Sequence, residues 1–378
     1  MSALPMIDLK TQYKHIESEV LEAMKNVLDS NQYVNGTAVK NFTSHLENYL
    51  GAKAVIPCAN GTDALQIALM SLGLKPGDEV ITTPFTFVST AEVIALLGLQ
   101  VRFIDIYPDT FNMNVEQLQE VASPATACIL PVHLFGQCCD MESVLNIAGR
   151  FNIPVVEDNA QSIGADYHFS DGKKVKSGLL GDIGCTSFYP TKNLGAYGDG
   201  GAIFTQNEKL ADKIRMICNH GSSQRYYHDE VGVNSRLDSL QAAVLDIKLK
   251  HLDTYNQHRA DAAERYNQLL ADLEHVITPA KSEFSDHVYH QYTIRVTDGL
   301  RDELQKKLQE QGIPSGIYYP VPLHLQKAYR KFGYGGGDFP VSEQMSKEVL
   351  SLPMHSELKE EDQLVVATAI KNILGELK

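Results

Sequence analysis

The chain has 378 residues, enough for two or three domains and a sizeable hydrophobic core. Its apolar and charged fractions, 43% and 21%, are those of an ordinary globular protein, and its net charge of −14 argues against a general nucleic-acid-binding surface. No apolar run is long enough to cross a bilayer, and the N-terminus lacks the basic and apolar regions of a signal peptide. We therefore expect a cytoplasmic protein with neither nucleic acid nor membrane as a partner.

The first 250 residues alternate between helical and strand-like patterns. Apolar residues at helical spacing predict helices at residues 13–28, 39–50, 64–72, 88–97, 115–121, 141–151 and 210–218. Short apolar runs predict strands at residues 54–58, 79–82, 101–104, 127–131, 154–156 and 201–205, a hairpin near 168–176 and a strand leading towards Lys192. This alternation favours an α/β domain with a mostly parallel sheet, whose site lies beyond the carboxyl ends of its strands.

The rest of the chain has a different pattern. We predict one long helix at residues 239–270, then a strand at 290–296, a helix at 301–311, a strand at 316–319 and a last helix at 360–374. These elements suggest a large domain at residues 1–250 and a smaller C-terminal α+β domain at residues 251–378. No linker rich in Gly, Ser or Pro separates the two parts, so we expect them to pack firmly together.

The six cysteines form no C-x-x-C pair, and the thirteen histidines form no H-E-x-x-H motif. The sequence therefore predicts no metal site and reduced thiols, as is usual in the cytosol.

The first predicted strand ends at Asn60-Gly61-Thr62-Asp63, directly before a helix. Thr62 or Asp63 would serve as the N-cap of that helix. The free N–H groups at a helix start can bind a phosphate, although a plain capped helix is the ordinary explanation of such a motif.

Two further features suggest chemistry. Glu157 and Asp158 follow an apolar strand, where buried acids need partners and where a solvated strand end is the alternative. Lys192 lies among aromatic and glycine residues, and desolvation there would make it the nucleophile that a Schiff base requires; an ordinary surface lysine is the alternative. A phosphate site, an acid and such a lysine suit pyridoxal 5′-phosphate (PLP). A dinucleotide-dependent dehydrogenase is disfavoured, because no G-x-G-x-x-G turn follows the first strand.

Five segments resemble the DegT/DnrJ/EryC1/StrS family of sugar aminotransferases. They are spread over nearly the whole chain, at residues 59–65 (ANGTDAL), 76–80 (PGDEV), 157–161 (EDNAQ), 187–201 (SFYPTKNLGAYGDGG) and 232–238 (GVNSRLD). The resemblance implies a PLP-dependent enzyme with the type I PLP-dependent transferase (aspartate aminotransferase-like) fold.

The resemblance also implies roles around the cofactor ring. Lys192 would bind the cofactor aldehyde as a Schiff base and move the substrate proton, and Asp158 would pair with the ring nitrogen. Gln161 would contact the ring hydroxyl. Phe87 would stack on the ring, with Phe85 as the alternative.

The phosphate would be held by Gly61, Thr62 and Ser187 of one subunit. Asn234 would reach the phosphate of the other subunit, which implies a homodimer with active sites at the subunit interface. Asn159 departs from the family, where Ala is more frequent at this position, and we expect it to leave Asp158 undisturbed.

Within the family, the fullest likeness is to UDP-2-acetamido-2-deoxy-ribo-hexuluronate aminotransferases, at residues 58–67, 133–140 and 220–238. These enzymes aminate C3 of a UDP-linked 3-keto-N-acetylglucosaminuronate with L-glutamate as the donor. The resemblance implies the same reaction here, in bacterial surface polysaccharide biosynthesis. The alternatives are amination of a dTDP-3-keto- or 4-keto-6-deoxyhexose and, from another class, a non-catalytic PLP-binding regulatory protein.

Four residues are candidates for binding the nucleotide-linked keto-sugar. Arg225, with the adjacent Tyr226, is the first candidate for the uronate carboxylate, because a carboxylate favours a bidentate arginine. An ordinary ion pair with an acid of its own loop is the alternative. Tyr319 and His324, in a proline-rich loop, would line the sugar site, with simple packing as the alternative.

Overall fold

The structure is a computed structural model that describes residues 4–377. Its helices are α1 (Leu9–Ser30), α2 (Thr37–Leu50), α3 (Gly61–Ser71), α4 (Ser89–Leu96), α5 (Val115–Val121), α6 (Met141–Phe151), α7 (Glu208–Cys218), α8 (Ser239–Leu249), α9 (Leu252–Leu270), α10 (Arg301–Glu310), α11 (Pro340–Glu348) and α12 (Glu360–Glu376). Short 3-10 helices occur at Leu134–Gly136, Leu323–Leu325 and Lys327–Phe332. Its strands are β1 (Ala54–Cys58), β2 (Glu79–Thr82), β3 (Gln100–Phe103), β4 (Thr126–Ile129), β5 (Val156–Asp158), β6 (Asp166–His168), β7 (Lys174–Lys176), β8 (Ile183–Ser187), β9 (Gly201–Thr205), β10 (Ser222–Gln224), β11 (Tyr227–His228), β12 (Val276–Ile277), β13 (Tyr292–Val296) and β14 (Val349–Leu352).

Seven strands form a mixed sheet in the order β3-β2-β4-β5-β8-β9-β1. Strand β2 pairs in parallel with β3 and β4, and β5 pairs in parallel with β8. Parallel bridges from Ile129 to Val155 and from Val132 to Asp158 connect β4 to β5. Strand β9 alone runs opposite to the other six, so it pairs antiparallel with both of its neighbours, β8 and β1. The predicted mostly parallel sheet is therefore confirmed.

Helices cover both faces of this sheet, because successive side chains of each buried strand point to opposite sides. Ile56 and Ile203 belong to the core beneath α3, α4 and α7. Their neighbours Val55 and Phe204 belong to the core beneath α2 and α8 on the opposite face. Every helix predicted between residues 13 and 218 is present.

The C-terminal part forms a three-stranded antiparallel sheet, β12-β13-β14. It packs with α9, α10 and α12 around a second core that includes Tyr266, Tyr292 and Ile370. The chain then returns to the first part, since Leu323 and Phe339 pack into the core of the large sheet. The division into domains at residue 250 stays a prediction.

Some predicted elements are wrong. The segment 239–270 is two helices, α8 and α9, because the chain turns at Lys250 and His251 although no Gly or Pro marks the break. Residues 316–319 are not a strand; of these, only Gly316 forms a bridge, to Ser351 of β14. The strand predicted at 154–156 lies two residues later and includes both acids, because both find hydrogen-bond partners.

All six cysteines are free, as the sequence predicts, and all six are buried. Within residues 4–377 no cluster of three or more His, Cys, Asp or Glu side chains is arranged to hold a metal ion. No helix of the described chain is both long and apolar enough to cross a membrane.

The carboxylate of Glu157 in β5 is fully buried and accepts four hydrogen bonds. Backbone N–H groups of the segment 178–181 donate three of them, at 2.6–2.8 Å. The fourth comes from Nε2 of His133 at 2.8 Å, while Nδ1 of the same ring accepts from the N–H of Cys139. A buried carboxylate is stable only with such partners, so Glu157 joins the end of β5 to the turn before β8.

We expect Glu157→Gln to lower the free energy of unfolding by about 2–4 kcal/mol, because its NH2 group would face donors that the carboxylate now satisfies. Urea-induced unfolding of the cofactor-free protein, at a fixed protein concentration, measures the change. Glu22→Gln is the matched control, since Glu22 is exposed on α1. Equal midpoints for Glu157→Gln and the wild type would contradict this role of the carboxylate.

Candidate active site

A cavity of about 680 Å³ opens at the carboxyl ends of β5 and β8. It brings together residues from the start of α3, the end of β5, the loop after β8 and the C-terminal part. The predicted site residues that line it are Gly61, Thr62, Phe87, Asp158, Gln161, Ser187, Lys192 and Tyr319.

The helix α3 begins at one wall of the cavity. Its N-cap is Asn60, whose side chain accepts the N–H of Asp63 at 2.8 Å. The predicted caps, Thr62 and Asp63, are wrong because the strand-to-helix turn occurs earlier. Thr62 instead lies in the first helical turn and bonds to the hydroxyl of Ser89 at 2.7 Å. The N–H groups of Gly61 and Thr62 have no acceptor within the helix and, unlike that of Asp63, they are available to an anion.

Gly61 lies unusually close to Ser187. The antiparallel strand β9 pairs with both β8 and β1, and it places Gly201 opposite Ser187 on one side and Cys58 on the other. A Cβ atom at Gly61 would lie 2.7 Å from Cβ of Ser187. The absence of a side chain at Gly61 therefore lets the helix start and the Ser187 hydroxyl form one corner, which fits a phosphate group.

Asp158 points into the cavity and is 6% exposed. Thr90 donates to its Oδ2 at 2.8 Å and the N–H of Ala160 donates to its Oδ1 at 3.2 Å. Burial raises the pKa of Asp158, while these hydrogen bonds and the nearby Lys192 offset part of the rise. Such a carboxylate fits a protonated ring nitrogen, since an ion pair would compensate its desolvation.

The side-chain oxygen of Asn159, where Ala is more frequent in the family, is bonded away from Asp158. It accepts the hydroxyls of Ser162 and Ser177. As expected, the asparagine makes no hydrogen bond to the neighbouring carboxylate within the described chain.

Lys192 lies in the loop five residues beyond β8 and lines the cavity. Burial lowers the pKa of its amine to about 8, and the charge of Asp158 opposes this shift. Asn193 fixes the loop, because its Nδ2 donates to Oδ1 of Asn256 at 2.7 Å and to the carbonyl of Val288 at 2.9 Å. The loop thus presents a partly desolvated amine, as a Schiff-base lysine requires.

Gln161 and two aromatic residues complete the wall. The Gln161 oxygen accepts the N–H of Phe135 at 2.6 Å, and its Nε2 donates to the Tyr319 hydroxyl at 3.4 Å. Phe87 is 55% exposed and lines the cavity, so it is free to stack on a ring. Its rival Phe85 is fully buried and does not line the cavity.

Four predicted residues lie elsewhere. Asn234 and Arg225 are exposed, and the guanidinium of Arg225 lies 5.0 Å above the ring of Tyr226, which is 79% exposed. Within residues 4–377, neither acid of its loop forms an ion pair with Arg225. His324 is fully buried and bonds to Glu343 at 3.1 Å, which agrees with the packing alternative and not with a place on the cavity wall.

Other cavity residues were not singled out from the sequence. They are Met6, Ile7, Asn60, Leu65, Thr86, Ser89, Val132, Ala160, Tyr189, Thr191, Asp199, His290, Gln291, Tyr318, Leu352 and Met354. Tyr318 could have been found as the neighbour of Tyr319. His290 and Met354 carry no local signal, because they flank strands of the C-terminal sheet whose approach to the cavity is a tertiary feature.

These groups fit PLP. The corner at Gly61 and Ser187 suits its phosphate, the buried Asp158 its ring nitrogen, and the desolvated Lys192 its aldehyde.

A model of the DegT/DnrJ/EryC1/StrS aminotransferase family matches residues 14–371. The chain is 47% identical to a pleiotropic regulatory protein of Geobacillus stearothermophilus, over 97% of each chain. It is 42% identical to UDP-2-acetamido-2-deoxy-3-oxo-D-glucuronate aminotransferase of Pseudomonas aeruginosa, over 98% of this chain and 100% of that one. The crystal structure of NtdA from Bacillus subtilis with bound cofactor PMP is 32% identical, with a TM-score of 0.89 over 99% of this chain and 86% of that one. The predicted type I fold is thereby confirmed.

We expect the rate at which the cofactor-free protein captures PLP covalently to rise with pH up to about 8 and then to level off. The amine reacts in its uncharged form, whereas an ordinary lysine, with a pKa of 10.5, would gain reactivity over a wider range. Asp158→Asn should move the plateau to lower pH, because the carboxylate stabilises the ammonium form. Stopped-flow absorbance, with borohydride trapping to identify Lys192, measures the rate. A rate still rising between about pH 9 and pH 10 would contradict the desolvation of Lys192.

Proposed function

The chain belongs to the DegT/DnrJ/EryC1/StrS aminotransferase family, and from this we propose that it transfers the amino group of L-glutamate to the keto group of a nucleotide-linked sugar. It is a PLP-dependent enzyme. The observation that carries the proposal is the meeting of Lys192, Asp158 and the Gly61–Ser187 corner in one cavity.

For the substrate we propose C3 of UDP-2-acetamido-3-keto-glucuronate, in bacterial surface polysaccharide biosynthesis. The name of the Pseudomonas aeruginosa relative supports this choice of sugar. A dTDP-linked 3-keto- or 4-keto-6-deoxyhexose is the alternative, and the names of more distant relatives, which are 3-amino-sugar transaminases, support its 3-keto form. A cytoplasmic location stays a prediction.

The chain's own residues have separate tasks in this reaction. When bound, PLP withdraws electrons from the reacting carbon. Asp158 keeps the ring nitrogen protonated, and Gln161 orients the ring through its hydroxyl. Nζ of Lys192 would take the proton from the amino-bearing carbon of the donor in the first half-reaction. In the second half-reaction it would deliver a proton to the sugar carbon that had carried the keto group. The N–H groups at the start of α3 hold the phosphate and so keep the cofactor in place during both half-reactions.

We further propose a homodimer in which Asn234, Arg225 and Tyr226 serve the cavity of the partner subunit. All three are exposed in the single chain. The adjacent Ser235 accepts the N–H of Ala59 at 3.0 Å and donates to a carboxylate in the first turn of α3 at 2.7 Å. The loop is therefore fixed beside its own phosphate corner while its polar side chains remain available to a second subunit.

The proposal is tested by the visible spectrum of the purified, PLP-loaded protein before and after addition of L-glutamate. We expect the yellow absorption to fade with glutamate in the wild type, because the amino group passes to the cofactor. Lys192→Ala should lack the absorption of the lysine-bound cofactor and should not turn over. A wild type that stays colourless with added PLP would contradict the proposal. A yellow wild type that glutamate does not change would favour the non-catalytic regulatory alternative, which the name of the Geobacillus relative also suggests.

The protein whose cofactor has received the amino group of glutamate is then used to identify the sugar substrate. The yellow absorption should return with a UDP-linked 3-keto sugar that carries a C6 carboxylate and more slowly with C6-methyl sugars. Arg225→Ala should reduce this preference, since a bidentate carboxylate contact would be lost. Arg225→Lys keeps the positive charge but cannot form a bidentate contact, so it separates the effect of charge from that of bidentate hydrogen bonding. If Arg225→Ala preferred the C6-carboxylate sugar as strongly as the wild type does, another residue would bind the carboxylate.

We expect Lys192→Ala and Asn234→Ala each to be inactive as homodimers and to regain activity when their subunits are mixed. One site of each mixed dimer would combine Lys192 from one subunit with Asn234 from the other, giving about a quarter of wild-type activity after random exchange. Activity is measured after joint refolding, beside equal mixtures of each variant with itself. No recovery in confirmed mixed dimers would contradict the role of Asn234 across the interface.

A further inference from the structure

Several cavity-lining side chains have no task in the proposed function, and one of them is a buried, unpaired histidine. His290 lies just before β13, is 6% exposed and lines the same cavity as Lys192. Its Nδ1 is buried and has no hydrogen-bond partner. Its Nε2 makes no hydrogen bond to any residue in 4–377 either, so the imidazole is unpaired although nearly all of it is buried.

The backbone around His290, by contrast, is held from three sides. The N–H of Val288 donates to the carbonyl of Gly136 at 2.8 Å, and Asn193, beside Lys192, donates to the carbonyl of Val288 at 2.9 Å. The buried guanidinium of Arg259 donates to the carbonyl of His290 at 3.3 Å. The backbone that carries the imidazole is therefore anchored to the loop of Lys192 before any ligand enters.

A buried polar group without a partner is costly, and such groups in native proteins call for an explanation. A rigid support beneath an unpaired side chain is what a binding site requires, because the group is then placed correctly without reorganisation. The part of the ring that faces the cavity can be paired only by a molecule within the cavity.

The ring is neutral in this setting. Burial lowers the pKa of His290 well below its ordinary value, and the positive charges of Lys192 and Arg259 lower it further. A neutral imidazole has one N–H donor and one lone pair. Since Nδ1 is buried with no acceptor near it, the proton belongs on Nε2 and the lone pair on Nδ1.

We propose that His290 is a substrate-binding residue of the aminotransferase reaction, whose Nε2–H donates to an oxygen next to the reacting carbon. In the first half-reaction this oxygen belongs to the α-carboxylate of the amino donor, and in the second to the sugar. Both substrates must present their reacting carbon to Lys192, so their neighbouring oxygens occupy the same place. A neutral donor suits both, because it accepts a carboxylate as well as an uncharged sugar oxygen. The inference rests on the proposed function.

The test compares His290→Phe, which removes the donor, with His290→Gln, which restores an N–H at a similar reach. His287→Phe is the matched control: His287 is buried in the same segment and bonds to the N–H of Tyr289 at 3.0 Å, but it does not line the cavity. His290→Ala is a smaller second variant should the phenylalanine impair folding. All variants are first loaded with PLP and compared by their visible spectra.

In His290→Phe we expect the ratio of single-turnover rate to apparent Kd to fall about 10- to 100-fold for glutamate and for the keto-sugar, with His290→Gln largely restored. As a readout independent of turnover, calorimetry should find α-methyl-L-glutamate bound about 10-fold or more weakly by His290→Phe. His287→Phe should bind it like the wild type.

Unchanged affinity for α-methyl-L-glutamate in both His290→Phe and His290→Ala would overturn the inference. Equal losses in His287→Phe and His290→Phe would also overturn it, by assigning the effect to the segment as a whole. A loss with only one of the two substrates would refute the shared oxygen site. The proposed function fails separately, if the wild type binds α-methyl-L-glutamate but does not transfer the amino group of glutamate.

Discussion

The site depends first on the buried end of β5, where two carboxylates follow each other. Successive side chains of a strand point to opposite faces, so Glu157 and Asp158 cannot both face the cavity. Four donors bind Glu157 on one face, three of them from the turn that leads into β8. This anchoring fixes the strand end, and it thereby determines where Asp158 points on the other face. Glu157, which does not line the cavity, thus sets the geometry of Asp158, which does.

Asp158 and Lys192, two ionisable groups of the cavity, limit each other's pKa shifts. Burial shifts each towards its uncharged form, raising the pKa of Asp158 and lowering that of Lys192 to about 8. Each charge also stabilises the other, so neither shift is as large as burial alone would produce. Covalent binding of a pyridine aldehyde requires an amine that is partly uncharged near neutral pH. It also requires a carboxylate that can pair with the protonated ring nitrogen. The loop after β8 and the end of β5 provide both because those strands are neighbours.

This adjacency explains why so much could be predicted from the sequence. In a mostly parallel sheet the carboxyl ends of the strands share one edge, so motifs that follow different strands meet without any knowledge of contacts. Gly61, Asp158 and Lys192 were found in this way, and all three line the cavity. The wrong predictions are at positions where no residue type marks the end or the start of a helix. The turn between α8 and α9 interrupts an apolar periodicity that contains no Gly or Pro, and the cap of α3 precedes the residues whose types suggested it.

Cavity residues from the C-terminal part of the chain could not be predicted from periodicity. Periodicity indicates which face of one helix or strand is buried, but not which distant segment packs against that face. His290 reaches the cavity because its segment is held there: Gly136 and Asn193 bond to the backbone of Val288, and Arg259 bonds to the carbonyl of His290. Asn234 presents the opposite case: its loop is tied through Ser235 to the start of α3, yet its own side chain is exposed. If that side chain completes a neighbouring site, the same tie connects the phosphate corner of one subunit to the residue that it supplies to the other. The phosphate corner and the subunit interface would then form together, because the loop of Asn234 belongs to both and is positioned by the start of α3.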